Sequence, residues 1–226
     1  MIRIILLILF VPVTIFSQEL PLPQEVIARN DLFNNRMFPA YDSQGKIHLS
    51  YTGQLGTNSN TREIYYVKED NGTFTTINIT NNSVDDNYSS LSIDADDKVH
   101  IGYIGRDPSN LFQVKYTNNI SGNFFEPIYI TQGGLNKATP YTKIGPDSVM
   151  HFVYFTFTND PDNIYYRSYD LRTSTLSNEI FLSGGETSGD FDAALDVDAN
   201  GKVHIVLKAG SAFGGTLRYF TNVSGT

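Results

Sequence analysis

Four histidines are the side chains of this sequence best suited to chemistry, and they recur at a regular interval. His48, His100, His151 and His204 stand 52, 51 and 53 residues apart. Each lies in the same short string: Lys46-Ile-His48-Leu-Ser-Tyr51, Lys98-Val-His100-Ile-Gly-Tyr103, Val149-Met-His151-Phe-Val-Tyr154 and Lys202-Val-His204-Ile-Val-Leu207. Four imidazoles gathered round one axis would suit a transition metal. The strings argue otherwise. Each histidine alternates with apolar neighbours, as in Val99-His100-Ile101, so it faces the opposite side of a strand from them. If sheets stack on both sides, both faces are buried, and a buried polar group must be hydrogen-bonded. The expected role is a neutral imidazole bonded to a neighbouring sheet.

A second constellation, Asp196-Val-Asp198-Ala-Asn200-Gly201, matches the opening of a calcium loop, but the bidentate Glu needed at its twelfth position is Leu207. The aligned segments Asp42-Ser-Gln-Gly45 and Asp94-Ala-Asp-Asp97 carry the same Asp without the rest of the motif. Asp196, Asp198 and Asn200 therefore read as turn residues, with a weak Ca²⁺ site as the alternative and no other cofactor implied. The chain has no cysteine, which removes thiolate metal sites, redox pairs and disulfides together. No Ser–His–Asp arrangement and no nucleotide-binding glycine loop is present.

The histidine strings belong to a longer repeat. A Tyr-containing run follows each one: Ile64-Tyr-Tyr66, Val114-Lys-Tyr116, Ile164-Tyr-Tyr166 and Leu217-Arg-Tyr219. Further apolar runs come after and before, such as Thr76-Ile-Asn-Ile-Thr80 and Ser90-Leu-Ser-Ile-Asp94. Four short runs per period, punctuated by Asp, Asn and Gly, predict one four-stranded antiparallel sheet per repeat. A period near fifty residues predicts an all-β fold, a β-propeller of four blades at about 37–80, 88–131, 139–183 and 191–226. Glu25-Val-Ile-Ala28 resembles the fourth-strand runs, so residues 25–28 are expected to complete the last blade and close the ring, which would leave no open sheet edge. The competing expectation is a larger propeller of which these are the first blades.

Residues 1–17 read as a signal peptide, with Arg3 ahead of an apolar run that ends at Ser17, and an uncleaved membrane anchor is the alternative. Residues 18–226 then form the propeller domain, secreted, periplasmic or at the cell surface, with no membrane span after cleavage. Against 16 basic side chains stand 24 acidic ones, a net charge of −8. No Lys/Arg cluster exists to neutralise phosphates, so nucleic acid is not an expected partner.

On these strings the chain resembles the BNR-like, sialidase-type repeats of secreted bacterial propellers, over essentially the whole mature chain. The shared pattern is Asp-x-x-Gly, then Lys-Ile/Val-His, an apolar run ending in Tyr, and a Tyr-containing strand. Asp70-Asn-Gly72-Thr-Phe74 is a shortened form of that family's Asp box, and Ser121-Gly-Asn-Phe124 a fainter one. The resemblance implies the fold. Sialidase activity would need an arginine triad and a Tyr–Glu pair, and Arg62, Arg106, Arg167 and Arg218 lie in no such motif.

Binding residues are expected in the loops between the second and third strands, where polar and aromatic side chains would form one rim: Asn58, Asn60, Arg106, Phe155, Phe157, Asp160 and Asp162. The expected function is a non-catalytic module that binds a glycan or an extracellular protein. The alternative is a glycan-active enzyme, a glycosidase or polysaccharide lyase, which would need acid and base groups converging from different blades.

Overall fold

The computed structural model describes residues 37–54, 62–157, 163–183, 193–211 and 214–222. Among them there is no helix, and every sheet is antiparallel. Blade 1 is β1 (Phe38–Tyr41), β2 (Ile47–Gln54), β3 (Arg62–Asp70) and β4 (Thr73–Asn78), hydrogen-bonded in chain order. Blade 2 repeats it as β5 (Asp86–Ile93), β6 (Val99–Arg106), β7 (Phe112–Asn118) and β8 (Ile128–Tyr129). Blade 3 has β9 (Asn136–Ile144), β10 (Val149–Phe157) and β11 (Asn163–Asp170). Its outer position is shared by two short strands, β12 (Thr175–Leu176) and β13 (Ile180–Ser183), which both pair with β11. Blade 4 is β14 (Ala193–Val197), β15 (Val203–Ser211) and β16 (Gly214–Thr221). The arrangement is β-propeller-like.

The turns follow from their residues. Asp42, Asp94 and Asp198 each accept the backbone N–H groups two and four positions ahead through Oδ1, at 2.8–3.0 Å. The β3–β4 hairpin turns on Asn71 and Gly72, at φ 52° and 77°, a pair that suits a two-residue primed turn.

Each of blades 1 to 3 turns the histidine side of its second and third strands towards the next blade; we call this the forward face. Ile64 and Tyr66 of blade 1 pack on Val99, Ile101 and Tyr103 of blade 2. Ile104, Val114 and Tyr116 of blade 2 pack on Met150, Phe152 and Tyr154 of blade 3, and Val153, Phe155 and Ile164 pack on Val203, Ile205 and Leu207 of blade 4. Gly102 is one point where this stacking allows no side chain: a Cβ there would lie 2.4 Å from Thr142 of the next blade. The first strands adjoin one another, tied by Thr142 N to Ser90 Oγ at 3.1 Å and Ile144 N to Ser92 Oγ at 3.2 Å. Phe38 reaches from β1 to Tyr141 of β9, ring to ring at 6.2 Å.

One expectation falls outside the described residues here, and one changes. The fourth blade has three strands among the described residues, and no described strand pairs with the outer edge of β16. Residues 25–28, expected to fill that place, lie outside the described residues, as does the proposed signal peptide. Phe155, expected in a rim loop, belongs to β10 and is fully buried between Tyr141 and Ile164, because the strand runs further than its polar flanks suggest.

Candidate functional site

The histidines share one contact in every blade. Nδ1 of His48, His100, His151 and His204 lies 2.6–2.7 Å from the hydroxyl of Tyr66, Tyr116, Tyr166 and Tyr219. In blades 1, 2 and 4, Nε2 faces Oδ2 of the turn aspartate, at 3.3 Å from Asp42, 3.0 Å from Asp94 and 3.7 Å from Asp198. With Nε2–H directed at a carboxylate, Nδ1 is the acceptor and the tyrosine hydroxyl donates to it. The partners therefore lie in the histidine's own blade, not in the neighbouring one. One aspartate shapes the turn with one oxygen and holds the imidazole with the other. Blade 3 departs from the pattern. Gly145 stands where the aspartate should be, and the buried Nε2 of His151 has no hydrogen-bond partner. Burial lowers the His151 pKa to about 4, only partly opposed by Asp147.

The calcium candidates are engaged by protein. Asp196 accepts from Lys143 Nζ at 3.0 Å and from the Val197 N–H, and Asp198 caps Asn200 and Lys202. Asn200 contributes its backbone to this turn. Among the described residues no group of three or more His, Asp or Glu side chains could hold a metal ion.

The arginines of the strands serve as inter-blade ties. Arg62 holds Asp85 of blade 2 through Nε at 2.5 Å and through Nη2. Arg167 donates to the Ile130 carbonyl of blade 2 at 2.6 Å, and Arg218 to Ser183 of blade 3 at 2.6 Å. Arg106, at the end of β6, is placed differently. Its guanidinium stands 4.2 Å over the Phe112 ring, donates to the Asn110 carbonyl at 2.9 Å, and lies 3.9 Å from Asp85, too far for a hydrogen bond. It borders an open cleft of about 250 Å³ with Ser83, Val84, Asp85 and Asn110.

Behind that cleft the blade 1–2 junction holds a cluster of buried charges. Asp86 accepts from Asn82 at 2.6 Å and faces Lys115 Nζ at 3.6 Å. Burial pushes its carboxyl up to about 6, with Lys115 opposing. Glu63, also raised by burial, accepts from the Thr80 hydroxyl and from the Asn82 N–H at 3.0 Å. Gly105 makes room: a Cβ there would lie 2.0 Å from Asp86 Oδ1. Just beyond Asp86, β5 bulges between Asn87 and Ser90, with Tyr88 at φ 50°. The same bulge recurs in β9 with Thr139 at φ 43°, beside Lys137. Lys137 is buried near the Tyr154 and Tyr165 rings, at 6.0 and 5.8 Å, and burial lowers its pKa.

Of the rim residues expected from sequence, Arg106 alone is brought to a cleft among the described residues. Asn58, Asn60, Asp160 and Asp162 lie outside them, and Phe157 ends β10. Reasoning from sequence missed Asp85, Asp86, Glu63 and Lys115, and placed the charges in turns. A signal did exist: Lys115 occupies the column held by Tyr65 and Tyr165 in blades 1 and 3, and Asp86 the column of Lys137. A larger hollow of about 350 Å³ between blades 3 and 4 is lined mainly by Tyr166, Ile180, Leu182, Val203, Ile205 and Phe220. It lacks the convergent polar groups that orient a ligand.

No protein-family model and no curated protein matches the sequence. Solved structures do match in fold. An ulvan lyase of polysaccharide lyase family PL25, bound to -[GlcA(1-4)Rha3S]-, superposes with a TM-score of 0.55 at 13% identity, over 83% of this chain and 55% of its own. A protein of unknown function from Dyadobacter fermentans gives 0.59 at 16%, over 88% and 68%. The endo-arabinase of Bacteroides thetaiotaomicron gives 0.53 at 15%, over 80% and 72%. At such identities the likeness is one of fold. The chain spans about half the length of the ulvan lyase.

Proposed function

We propose that this chain is a secreted, non-catalytic β-propeller that binds a glycan in the cleft against Arg106. The observation that carries the reading is the Arg106 guanidinium, held in place by Phe112 and the Asn110 carbonyl and bordered by Ser83 and Asn110. A rigid fork of donors beside hydroxyl and amide groups matches the hydroxyl pairs and carboxylates of sugars. Secretion is supported by the apolar run at residues 1–16. Two of the fold neighbours act on or bind polysaccharides, which supports a saccharide over a protein ligand.

The non-catalytic part rests on how the carboxylates are committed. Asp85 is clamped by Arg62, Glu63 by Thr80 and Asn82, and Asp86 by Asn82 and Lys115, all three buried. An acid–base pair must reach a substrate oxygen or proton within hydrogen-bond distance. Screening the secreted chain on an array of neutral and acidic plant and algal oligosaccharides, with mass analysis of each bound sugar afterwards, tests both parts. Retention of at least one intact oligosaccharide is expected. Cleaved products would replace the binding module with an enzyme, and an empty array would remove the glycan.

A further inference from the structure

We infer that the groove between blades 1 and 2 beside the β5–β6 turn is a second saccharide site, which takes one neutral pyranose unit. The groove measures about 460 Å³, and its polar and aromatic lining comes from Lys68, Asn78, Asp97, Asn119, Asn123 and Phe124. It stands at the opposite end of β6 from Arg106, so it adds to the proposed cleft without resting on it. Its opening has a cause in the sequence. In blade 3, Tyr169 pairs with Met150, and its ring lies 5.9 Å from Tyr116 in the layer between blades 2 and 3. The corresponding residue of blade 2 is Asn119, opposite Val99. A side chain shorter than tyrosine leaves a groove beside Tyr66, whose ring meets Phe124 edge-on at 5.2 Å.

The ligand class follows from the polar groups. Asn119 Oδ1 accepts the Val99 N–H at 2.7 Å, and Asn78 Oδ1 accepts the N–H groups of Thr80 and Asn81 at 3.3 and 3.1 Å. Backbone bonds thus pin the carbonyl end of each amide and fix the other end as a donor. Asn123 and Lys68 add further donors along the same groove. Asp97 takes Ser43 N and Oγ at 2.7 Å, one on each carboxylate oxygen, and each oxygen keeps a lone pair. Sugar hydroxyls both donate and accept, and the apolar C–H face of a pyranose suits the Phe124 ring. Lys68 and Asp97 carry opposite charges, so the groove holds no net charge to select an anion or a cation. A concave site with a few convergent, preorganised polar groups is how small ligands are held.

NMR titration of the isotope-labelled mature chain with the methyl glycosides of glucose, galactose, mannose and xylose, and with methyl glucuronide as the acidic control, tests this. At least one neutral glycoside is expected to shift the side-chain amide signals of Asn78 and Asn119 saturably. Asn119→Tyr restores the residue of blade 3, and it is expected to abolish the Asn78 shift while the melting temperature holds or rises. Asn123→Ala, at an exposed position, keeps the fold and is expected to weaken binding about tenfold. Arg106→Ala is expected to leave these shifts intact, which separates this site from the proposed cleft. The proposal is overturned if no neutral glycoside moves the two amides, or if the glucuronide alone does. Shifts that persist in Asn119→Tyr, or an affinity unchanged in Asn123→Ala, overturn it equally.

Discussion

His151 is the residue at which the repeat breaks its own rule, and the break has a thermodynamic consequence. Its pKa of about 4 lies below the ordinary value of 6.5. Between those values the unfolded chain binds more protons than the folded one, so this residue lowers stability as pH falls from about 6.5 to about 4, by roughly 3 kcal/mol in all. Gly145→Asp supplies the missing acceptor, since the added Cβ lies 3.3 Å from Nε2 and displaces only the mobile end of Asp147. The substitution should raise the His151 pKa and add about 1 kcal/mol near neutral pH. NMR titration of the imidazole and urea denaturation check the two effects. Asp86 has the opposite sign. Its carboxyl, raised to about 6, disfavours folding increasingly as pH rises from about 4 to about 6. Lys115→Met strands that charge, so it should cost about 3–5 kcal/mol at pH 7 and distinctly less at pH 5, where Asp86 is protonated. Equal losses at both pH values would show that Lys115 acts by packing alone.

At the scale of the blade, the His–Tyr–Asp contact works as an internal brace joining the first turn to the second and third strands. Removing it in blade 2 by His100→Ala leaves Asp94 and Tyr116 without their shared partner. The expected loss is about 1–3 kcal/mol in thermal denaturation, with no change in glycan binding. The spacing of the histidines made the strands legible, because period-two alternation and Asp-led turns are local properties of the chain. Asp42, Asp94 and Asp198 could be read as turn residues for the same reason. Their second role could not, since it depends on where β2, β6 and β15 bring the imidazoles. Phe155 was misplaced because a strand buried on both faces carries no alternation to mark its end. The Asp86–Lys115 pair shows the limit most sharply. Sequence puts the two 29 positions apart, and they meet only because Gly105, between them on β6, leaves an opening. Gly105→Ala is expected to destabilise the protein by a few kcal/mol, comparable to breaking the pair itself.

Across the whole molecule, arginines staple successive blades, aromatic rings fill the layers between them, and charges are held inside at one end. This division leaves Arg106 as the preorganised cation at a cleft on the rim where second and third strands join, while the exposed apolar surface sits apart on blade 4. Isothermal titration of the mature chain with the oligosaccharide retained on the array, comparing wild type with Arg106→Ala, tests the central claim most directly. Saturable binding that weakens about tenfold or more in Arg106→Ala, at an unchanged melting temperature, is the predicted result. Equal affinity in the two proteins would contradict it and place the ligand elsewhere on the molecule.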